Sequence, residues 1–212
     1  GVGARGCALV DALVDARALP RAALWALHAD EDALERSRAR NRWRLPPSVV
    51  SATTTAIETN AASAAKAVMT MDAPKVVVVV CAGGEAVESA TAVARRATLE
   101  KNARAKKRFF GFAGGAKRAP EGEIMIAGVI EPFAFEGRRK QAGCDEFLRA
   151  CAAPGACDAV LTVSQSELLK NGEDGMSVRD ATSIADASLL YAVLSAVESL
   201  RSSCWSSGGE RD

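Results

Sequence analysis

Hydrophobic residues cluster along this chain in short runs separated by helical patterns, which is typical of parallel strands joined by helices. Five consecutive valines occupy positions 76–80. This run is too short for a helix and too apolar for an exposed edge, so it indicates a central strand buried on both faces and hence a parallel sheet. A second apolar run at positions 124–130 predicts the next strand. We therefore expect an α/β fold.

A long helix is predicted near the end of the chain, over positions 176–200. Ser177 and Asp180 are spaced as a capping box at its start. Large apolar residues then recur at helical spacing: Ile184, Leu190, Val193, Leu194, Val197 and Leu200. Because this helix is long and broadly apolar, we expect it to be central in the core.

The chain opens with a glycine pattern of the kind found at ligand-binding turns. Gly1, Gly3 and Gly6 form a G-x-G-x-x-G motif, which a preceding strand would normally introduce. Asp30 lies near the distance at which dinucleotide-binding folds place a ribose-binding acid. This spacing is a weak signal for a dinucleotide-binding enzyme. A glycine turn with a helix-capping aspartate explains the same residues at least as well.

A second glycine pair follows the valine strand. Gly83 and Gly84 stand directly before a helical pattern over positions 89–99, where a parallel sheet places its ligand loop on a helix N-terminus. Glu85 and Glu88 lie in the same loop. A phosphate at such a loop is bound by free backbone N–H groups, and negatively charged carboxylates there would repel it. The position of this loop therefore predicts a nucleotide site, whereas its two carboxylates argue against phosphate binding.

Composition and charge narrow the possibilities. The 212 residues are 49% hydrophobic and carry a formal net charge of +1, which is ordinary for one globular domain and excludes general polyelectrolyte binding. With a single histidine, the cysteine spacings match no zinc pattern, so we expect no metal cluster. We expect the cysteines to be small buried hydrophobic residues rather than metal ligands or disulfides. They are Cys7, Cys81, Cys144, Cys151, Cys157 and Cys204.

Positions 101–118 combine basic residues with phenylalanines. Such a stretch can hold single-stranded nucleic acid or an anionic membrane. Glycines and Pro120 break it before a platform could extend, so we favour a solvated insertion and expect no nucleic-acid partner. No apolar run is long enough to predict a membrane span or a signal peptide. The chain lacks an initiator methionine, which suggests a fragment or a processed form.

The segment after the second strand is the most specific in the chain. It reads Glu-Pro-Phe-Ala-Phe-Glu-Gly-Arg-Arg-Lys over positions 131–140. This decapeptide resembles the strand-end signature of the FtsZ branch of the tubulin/FtsZ superfamily, and the predicted strand at 158–163 and helices at 167–170 and 176–200 are similar to those that follow it there. The resemblance implies a Rossmann-like GTPase domain over residues 1–200, with its first strand truncated, helices on both faces of the sheet, a long central helix, and a tail over 201–212.

The same resemblance assigns candidate nucleotide contacts, most of them altered. The family's first loop is a run of glycines that ends in asparagine, and its signature loop is glycine-rich with two threonines. The first loop corresponds here to Gly3, Ala4, Arg5, Gly6, Cys7 and Ala8. The signature loop corresponds to Gly83, Gly84, Glu85 and Ala86. Side chains in place of glycine obstruct close approach of the backbone.

Other family positions are partly kept. Glu136 matches the ribose-contacting glutamate, Lys140 replaces an arginine, and Asp30 matches the nucleotide-facing aspartate of the second strand. In the base-reading region of the central helix, Asp186 is the acceptor that could pair with guanine. The acid that the family donates to the next subunit's nucleotide is missing from 201–208, so we assign no catalytic residue. The resemblance thus implies a degenerate GTP/GDP site.

The fold pattern of the family is retained in this chain, while most of its nucleotide contacts are altered. This combination resembles a divergent FtsZ-like group, the plant and algal chloroplast-division regulators of the accumulation-and-replication-of-chloroplasts group. That likeness implies a chloroplast protein that contacts FtsZ subunits, and other plastid division proteins, to regulate ring assembly or placement. The alternative is an active FtsZ-type GTPase that binds GTP and polymerises. Because the phosphate-binding glycines and the acid of the next subunit are not intact, we favour the interaction module.

Overall fold

A computed structural model describes residues 1–19, 22–46, 54–70, 76–82, 86–110, 124–172 and 175–206. The strands are β1 (Trp25–His28), β2 (Asn41–Arg44), β3 (Val76–Ala82), β4 (Ile124–Glu131) and β5 (Ala159–Ser164). The helices are α1 (Gly3–Asp15), α2 (Glu31–Arg36), α3 (Thr54–Thr70), α4 (Val87–Phe110), α5 (Arg138–Ala152), α6 (Gln165–Asn171) and α7 (Val178–Ser206). This succession confirms the predicted α/β class.

All paired strands run parallel, and Val2 joins the two halves of the sheet. β1 pairs with β2, while β4 lies between β3 and β5. Val2 bridges to Leu27 of β1 on one side and to Cys81 of β3 on the other. Its N–H donates to the carbonyl of Val80 over 2.9 Å, and the N–H of Leu27 donates to the carbonyl of Gly1 over 2.9 Å. Val2 therefore lies at the centre of the sheet. This is the position where we expected the strand that introduces the glycine motif.

The valine strand separates two apolar layers, which confirms that it is buried on both faces. Val77 and Val79 pack in one cluster with residues of α3, α4 and α5. Val80 packs in another, with Leu9 of α1 and Leu189 of α7. Successive side chains of a strand point to opposite faces. Helices therefore cover both faces of the sheet, as the family resemblance implied.

The last helix packs through a narrow stripe rather than being buried all round. Its capping box is present, because the hydroxyl of Ser177 accepts from the N–H of Asp180 over 3.1 Å and the Asp180 carboxylate accepts from the N–H of Ser177 over 3.2 Å. Four buried residues repeat every fourth position: Ala181, Ala185, Leu189 and Val193. On the other side, Ile184 and Tyr191 are exposed. The expectation of a central helix is thus confirmed for the inner face, which packs in a core cluster, while the outer face is exposed.

The last helix also bears on the membrane prediction. By length and composition alone, Val178–Leu200 is apolar enough to cross a bilayer, whereas the sequence patterns predicted no such run. A core helix passes the same test. Because the inner stripe of α7 packs on the sheet, we interpret it as a core helix.

The basic stretch begins inside a helix. α4 continues to Phe110, eleven residues past the predicted end at position 99. Positions 101–110 therefore belong to that helix and are not part of a separate insertion, while positions 111–118 lie outside the described residues. The sequence pattern did not predict this part of the helix because its many charged residues leave no clear helical spacing of apolar residues.

Four cysteines confirm the expectation of burial, namely Cys7, Cys81, Cys144 and Cys151. Burial raises the pKa of the Cys144 thiol to about 11, which makes it a weak nucleophile. Cys157 differs from them because it is only half-buried. The side chain of Cys204 lies outside the described residues.

Candidate functional site

The predicted site residues gather at one edge of the sheet. The carboxyl ends of parallel strands meet there, and ligands of such sheets bind in the crevice beyond them. Gly3 follows Val2, Asp30 follows β1, and Glu136 follows β4. The first three turns of α7 lie at the same edge, since Arg5 bonds to Thr182 and Asp186. Residues far apart in the sequence thus share one crevice.

The start of α1 needs two of its glycines. Gly3 has a φ of +78°, in the left-handed region that favours glycine. A Cβ on Gly6 would lie 2.9 Å from the carbonyl oxygen of Val80, so a side chain there would push α1 away from β3. Ala4 and Ala8 are exposed. The two glycines therefore allow α1 to pack closely against β3, which is one role that glycines have in such motifs.

The side chain of Arg5 makes three hydrogen bonds at this edge of the sheet. Its Nε donates to Asp186 Oδ1 over 2.9 Å, its Nη1 donates to Gln165 Oε1 over 2.7 Å, and its Nη2 donates to the carbonyl of Thr182 over 3.1 Å. The Arg5 side chain is 19% exposed and that of Asp186 is 33% exposed. Charge-assisted hydrogen bonds of this kind are among the stronger ones in proteins. The guanidinium is thus held at three points.

Gln165 completes this network, and the sequence patterns did not identify it. It is fully buried at the junction of β5 and α6. Its Nε2 donates to the carbonyl of Glu131 over 2.8 Å, while its Oε1 accepts from Arg5 and from the Thr182 hydroxyl. A polar residue directly after a strand of a parallel sheet is the signal that could have found it.

Glu136 and Lys140 lie beside Arg5 and bind each other. Lys140 Nζ donates to Glu136 Oε2 over 2.6 Å, and Glu136 Oε1 accepts from the N–H of Phe133 over 3.0 Å. Burial alone would raise the pKa of Glu136, but these hydrogen bonds and the charges of Lys140 and Arg5 outweigh it and lower the pKa below its usual value. Glu136 is therefore an anion already paired within the chain.

Asp30 acts as a helix cap. Its Oδ1 accepts from the N–H groups of Asp32 and Ala33, over 2.9 and 3.4 Å, at the start of α2. The side chain is exposed at the carboxyl end of β1. The helix-capping interpretation of this aspartate is thus confirmed.

The second loop is described only from Ala86. Gly83, Gly84 and Glu85 lie outside the described residues, as does the side chain of Glu88. Ala86 has a φ of +51°, a left-handed conformation that is costly for any residue with a Cβ. Its carbonyl accepts from the N–H of Ala90 over 2.8 Å and so begins α4. A glycine would fit this position without strain.

The described side chains at this edge offer hydrogen-bond donors and acceptors. Among the described residues, no group of three or more His, Cys, Asp or Glu could hold a metal ion. Asp186, Gln165 and the Thr182 carbonyl could read a base or an amide, but Arg5 already occupies all three. Arg5 therefore binds acceptors that a ligand would otherwise use.

Comparisons with known structures identify the architecture. No family model and no curated protein sequence gives a significant match. The FtsZ W319Y mutant of M. jannaschii aligns with a TM-score of 0.67 at 21% identity over 93% of this chain. The chain has an FtsZ-like fold. CetZ from Methanosaeta thermophila strain DSM 6194 aligns with a TM-score of 0.63 at 14% identity over 92% of the chain.

The FtsZ-like chain spans about half the length of these structures, 55% of the FtsZ and 52% of the CetZ. The likeness confirms the tubulin/FtsZ-type fold predicted from the decapeptide at 131–140 and its surroundings. At these identities it concerns the fold alone. Nucleotide binding, assembly and partners must be argued from the residues of this chain.

Proposed function

We propose that this chain is an FtsZ-like interaction module whose nucleotide site is closed by its own Arg5, and that it regulates FtsZ ring assembly or placement in plastid division through protein contact. The observation that carries the proposal is the triple anchoring of the Arg5 guanidinium on Asp186, Gln165 and Thr182. Arg5 stands where the resembled family has a glycine. A glycine would let a nucleotide reach the backbone at this position, whereas the Arg5 guanidinium is held there by the chain.

The geometry explains why a guanine nucleotide would compete poorly. Asp186 is the acceptor expected to pair with the base, and its Oδ1 already accepts from Arg5. A base that pairs with Asp186 Oδ1 must compete with the Arg5 Nε hydrogen bond, and removing the whole guanidinium would break three hydrogen bonds, each worth on the order of 1 kcal/mol. Displacing it would also leave the buried amide oxygen of Gln165 without its charged partner. The self-occupied site therefore favours a role that does not require GTP.

The kept segment offers a surface for protein contact. The ring of Phe135 is 65% exposed and stacks on Phe133 with centroids 4.9 Å apart. Arg138 and Arg139 follow and are exposed. Exposed aromatic and arginine side chains are the types that dominate binding energy at protein interfaces. We assign the FtsZ contact to this group of Phe135, Arg138 and Arg139.

A second candidate, a GTP-binding and polymer-forming GTPase, is favoured by one observation. Glu136 and Lys140 stand together at the ribose-contacting positions of the resembled family. A nucleotide that broke their ion pair could use both groups. This candidate predicts tight GTP binding by the wild type.

Calorimetric titration with GTP separates the two candidates. The wild type should show no saturable binding up to about 1 mM, which corresponds to a binding free energy weaker than about 4 kcal/mol. Arg5→Gly should gain measurable affinity, and Arg38→Ala, which removes an exposed arginine of a surface pair, should not. Low micromolar binding by the wild type, or filaments that sediment with GTP, would overturn the proposal.

Pull-down with a plastid FtsZ tests the partner. The wild type should retain FtsZ, and Phe135→Ala should weaken retention by about tenfold or more, as expected for an interface hot spot. Tyr191→Ala is the matched control, since Tyr191 is an aromatic residue that is 75% exposed on a different element, α7. No association of the wild type with FtsZ would count against the proposal.

A further inference from the structure

Two cysteines lie side by side at the edge of the sheet opposite the candidate site. Cys151 is in the last turn of α5 and is 1% exposed, and Cys157 is half-buried in the loop before β5. The N–H of Cys157 donates to the carbonyl of Cys151 over 3.1 Å. Each thiol is also the first cause of the pKa shift of the other, which indicates that the two side chains are neighbours. The pair is thus joined through the backbone, with the two side chains adjacent.

This contact is compatible with a disulfide. Given standard backbone dimensions, the 3.1 Å bond from the Cys157 N–H to the Cys151 carbonyl limits the separation of the two Cα atoms to about 7 Å. Disulfides require Cα separations of roughly 4.4–6.8 Å. The two ranges overlap, so side-chain rotation can bring the sulfurs to bonding distance.

We propose that Cys151 and Cys157 form a reversible disulfide by exchange with a low-molecular-weight disulfide of the glutathione class, which makes this loop a thiol modification site. The connecting residues 152–155 are exposed, so an external disulfide can reach Cys157. The loop is also anchored, because the carbonyl of Ala156 accepts from the Thr98 hydroxyl over 3.0 Å. This bond fixes the residue directly before Cys157.

The two thiols differ in reactivity. The hydrogen bond from Cys151 lowers the pKa of Cys157, helped by the charge of Lys101, although burial and Asp158 act in the opposite direction. The same hydrogen bond, together with burial, raises the pKa of Cys151. The thiolate is the nucleophile in exchange. Cys157 is therefore the attacking cysteine and Cys151 the resolving one.

The reaction balances in two steps. The Cys157 thiolate attacks one sulfur of the external disulfide, whose S–S bond breaks to give a mixed disulfide on Cys157 and one free external thiolate. Cys151 then attacks the Sγ of Cys157, gives its proton to solvent, and releases the second external thiolate. The two cysteines lose two electrons and the external disulfide gains them.

Mass spectrometry of the full chain tests the pair directly, because trypsin leaves both cysteines on one peptide. Residues 150–170 contain no internal lysine or arginine and no other cysteine. After equilibration with oxidised glutathione and trapping with an alkylating agent, this peptide should be unalkylated and two hydrogens lighter. Dithiothreitol should restore two alkylation sites. Cys144→Ser, which leaves the pair intact, should behave like the wild type.

Comparison with the unfolded chain makes the test decisive. The folded chain should form the 151–157 disulfide with an equilibrium constant at least about tenfold larger than the same chain in urea. Cys151→Ser should accumulate a mixed disulfide on Cys157, whereas in Cys157→Ser the remaining Cys151 should react at least about tenfold more slowly. An equal or smaller constant in the folded chain, or stable double glutathionylation of the peptide, would overturn the proposal.

Discussion

Arg5 Nε lies 2.9 Å from Asp186 Oδ1 and so ties the first helix of the chain to the last. The two residues are 181 positions apart. Their side chains meet because α1 and α7 lie on the same face of the sheet, where Leu9 and Leu189 share one apolar cluster. The ion pair is therefore both a packing contact between helices and the feature that closes the candidate site.

The first prediction concerns the strength of this contact. A double-mutant cycle of Arg5→Ala and Asp186→Ala, followed by urea unfolding, should give a coupling of about 1–2 kcal/mol, because both side chains are largely buried and hydrogen-bonded. The matched cycle is Arg38→Ala with Asp15→Ala, a surface pair with side chains 61% and 52% exposed. It should give about 0.5 kcal/mol or less. Equal couplings in the two cycles would contradict a special role for Arg5.

Local patterns predicted the elements of this fold well. The valine run, the second apolar strand and the Ser177–Asp180 cap each depend on residues near one another in sequence, so the sequence contains the whole signal. The network around Arg5 does not have this property, since Gln165 is 160 positions away from it. The sequence patterns identified Arg5 as an obstruction to nucleotide but could not identify its partners.

The burial of α7 was predicted less well for a related reason. Apolar period indicates that a helix has a buried stripe, but not how wide that stripe is. Small residues at 181 and 185 turned out to be the contacts, while Ile184 is 39% exposed. Alanine contributes little to a hydrophobic period and yet permits close helix packing.

The second prediction concerns Gly6. Alanine normally stabilises a helix relative to glycine by about 1 kcal/mol. Here Gly6→Ala should instead destabilise the chain by about 1–3 kcal/mol, because the new Cβ would lie 2.9 Å from the carbonyl oxygen of Val80. Ala8→Gly, at an exposed position of the same helix, is the control and should cost about 0.5–1 kcal/mol. Thermal unfolding that finds Gly6→Ala more stable than the wild type would contradict the close contact.

The third prediction concerns acid stability at the opposite edge of the sheet. Asp158 binds Lys101, and its Oδ2 also accepts from the N–H of Met125 over 2.7 Å. Burial alone would raise the pKa of Asp158, but these hydrogen bonds and the Lys101 charge outweigh it and lower the pKa. A carboxyl whose pKa is lower in the folded state contributes stability above its unfolded pKa, about 3.9 for aspartate, and loses it as the pH falls through the folded value.

Asp158→Asn should therefore lower the melting temperature near neutral pH, and its difference from the wild type should shrink below about pH 4. Because the Asp158 side chain is 47% exposed, solvent screens the pair and the difference should be small. Asp145→Asn removes an exposed carboxylate of α5 and should change the melting temperature little across the range. If the wild type keeps or increases its higher melting temperature in acid, the charge of the Asp158 carboxylate is not the cause of the difference.

The last prediction concerns the loop between β3 and α4. A carboxylate about 4 Å from a phosphate charge costs on the order of 4 kcal/mol at an effective dielectric of 20, which is roughly a thousandfold in affinity. Glu85 and Glu88 would each oppose a triphosphate in this way, and the left-handed Ala86 adds backbone strain. The triple change Glu85→Thr, Ala86→Gly and Glu88→Gly should therefore raise GTP affinity, most clearly when combined with Arg5→Gly.

Ala86→Gly alone is the matched control, because it relieves backbone strain without altering charge. It should leave the stability of the chain unchanged or higher, since glycine adopts a φ of +51° without a Cβ clash. It should not by itself create GTP binding. If the triple change combined with Arg5→Gly binds GTP no better than Arg5→Gly alone, charge in this loop does not disable the site and Arg5 is the sufficient cause. If Ala86→Gly alone confers binding, strain rather than charge is the obstacle.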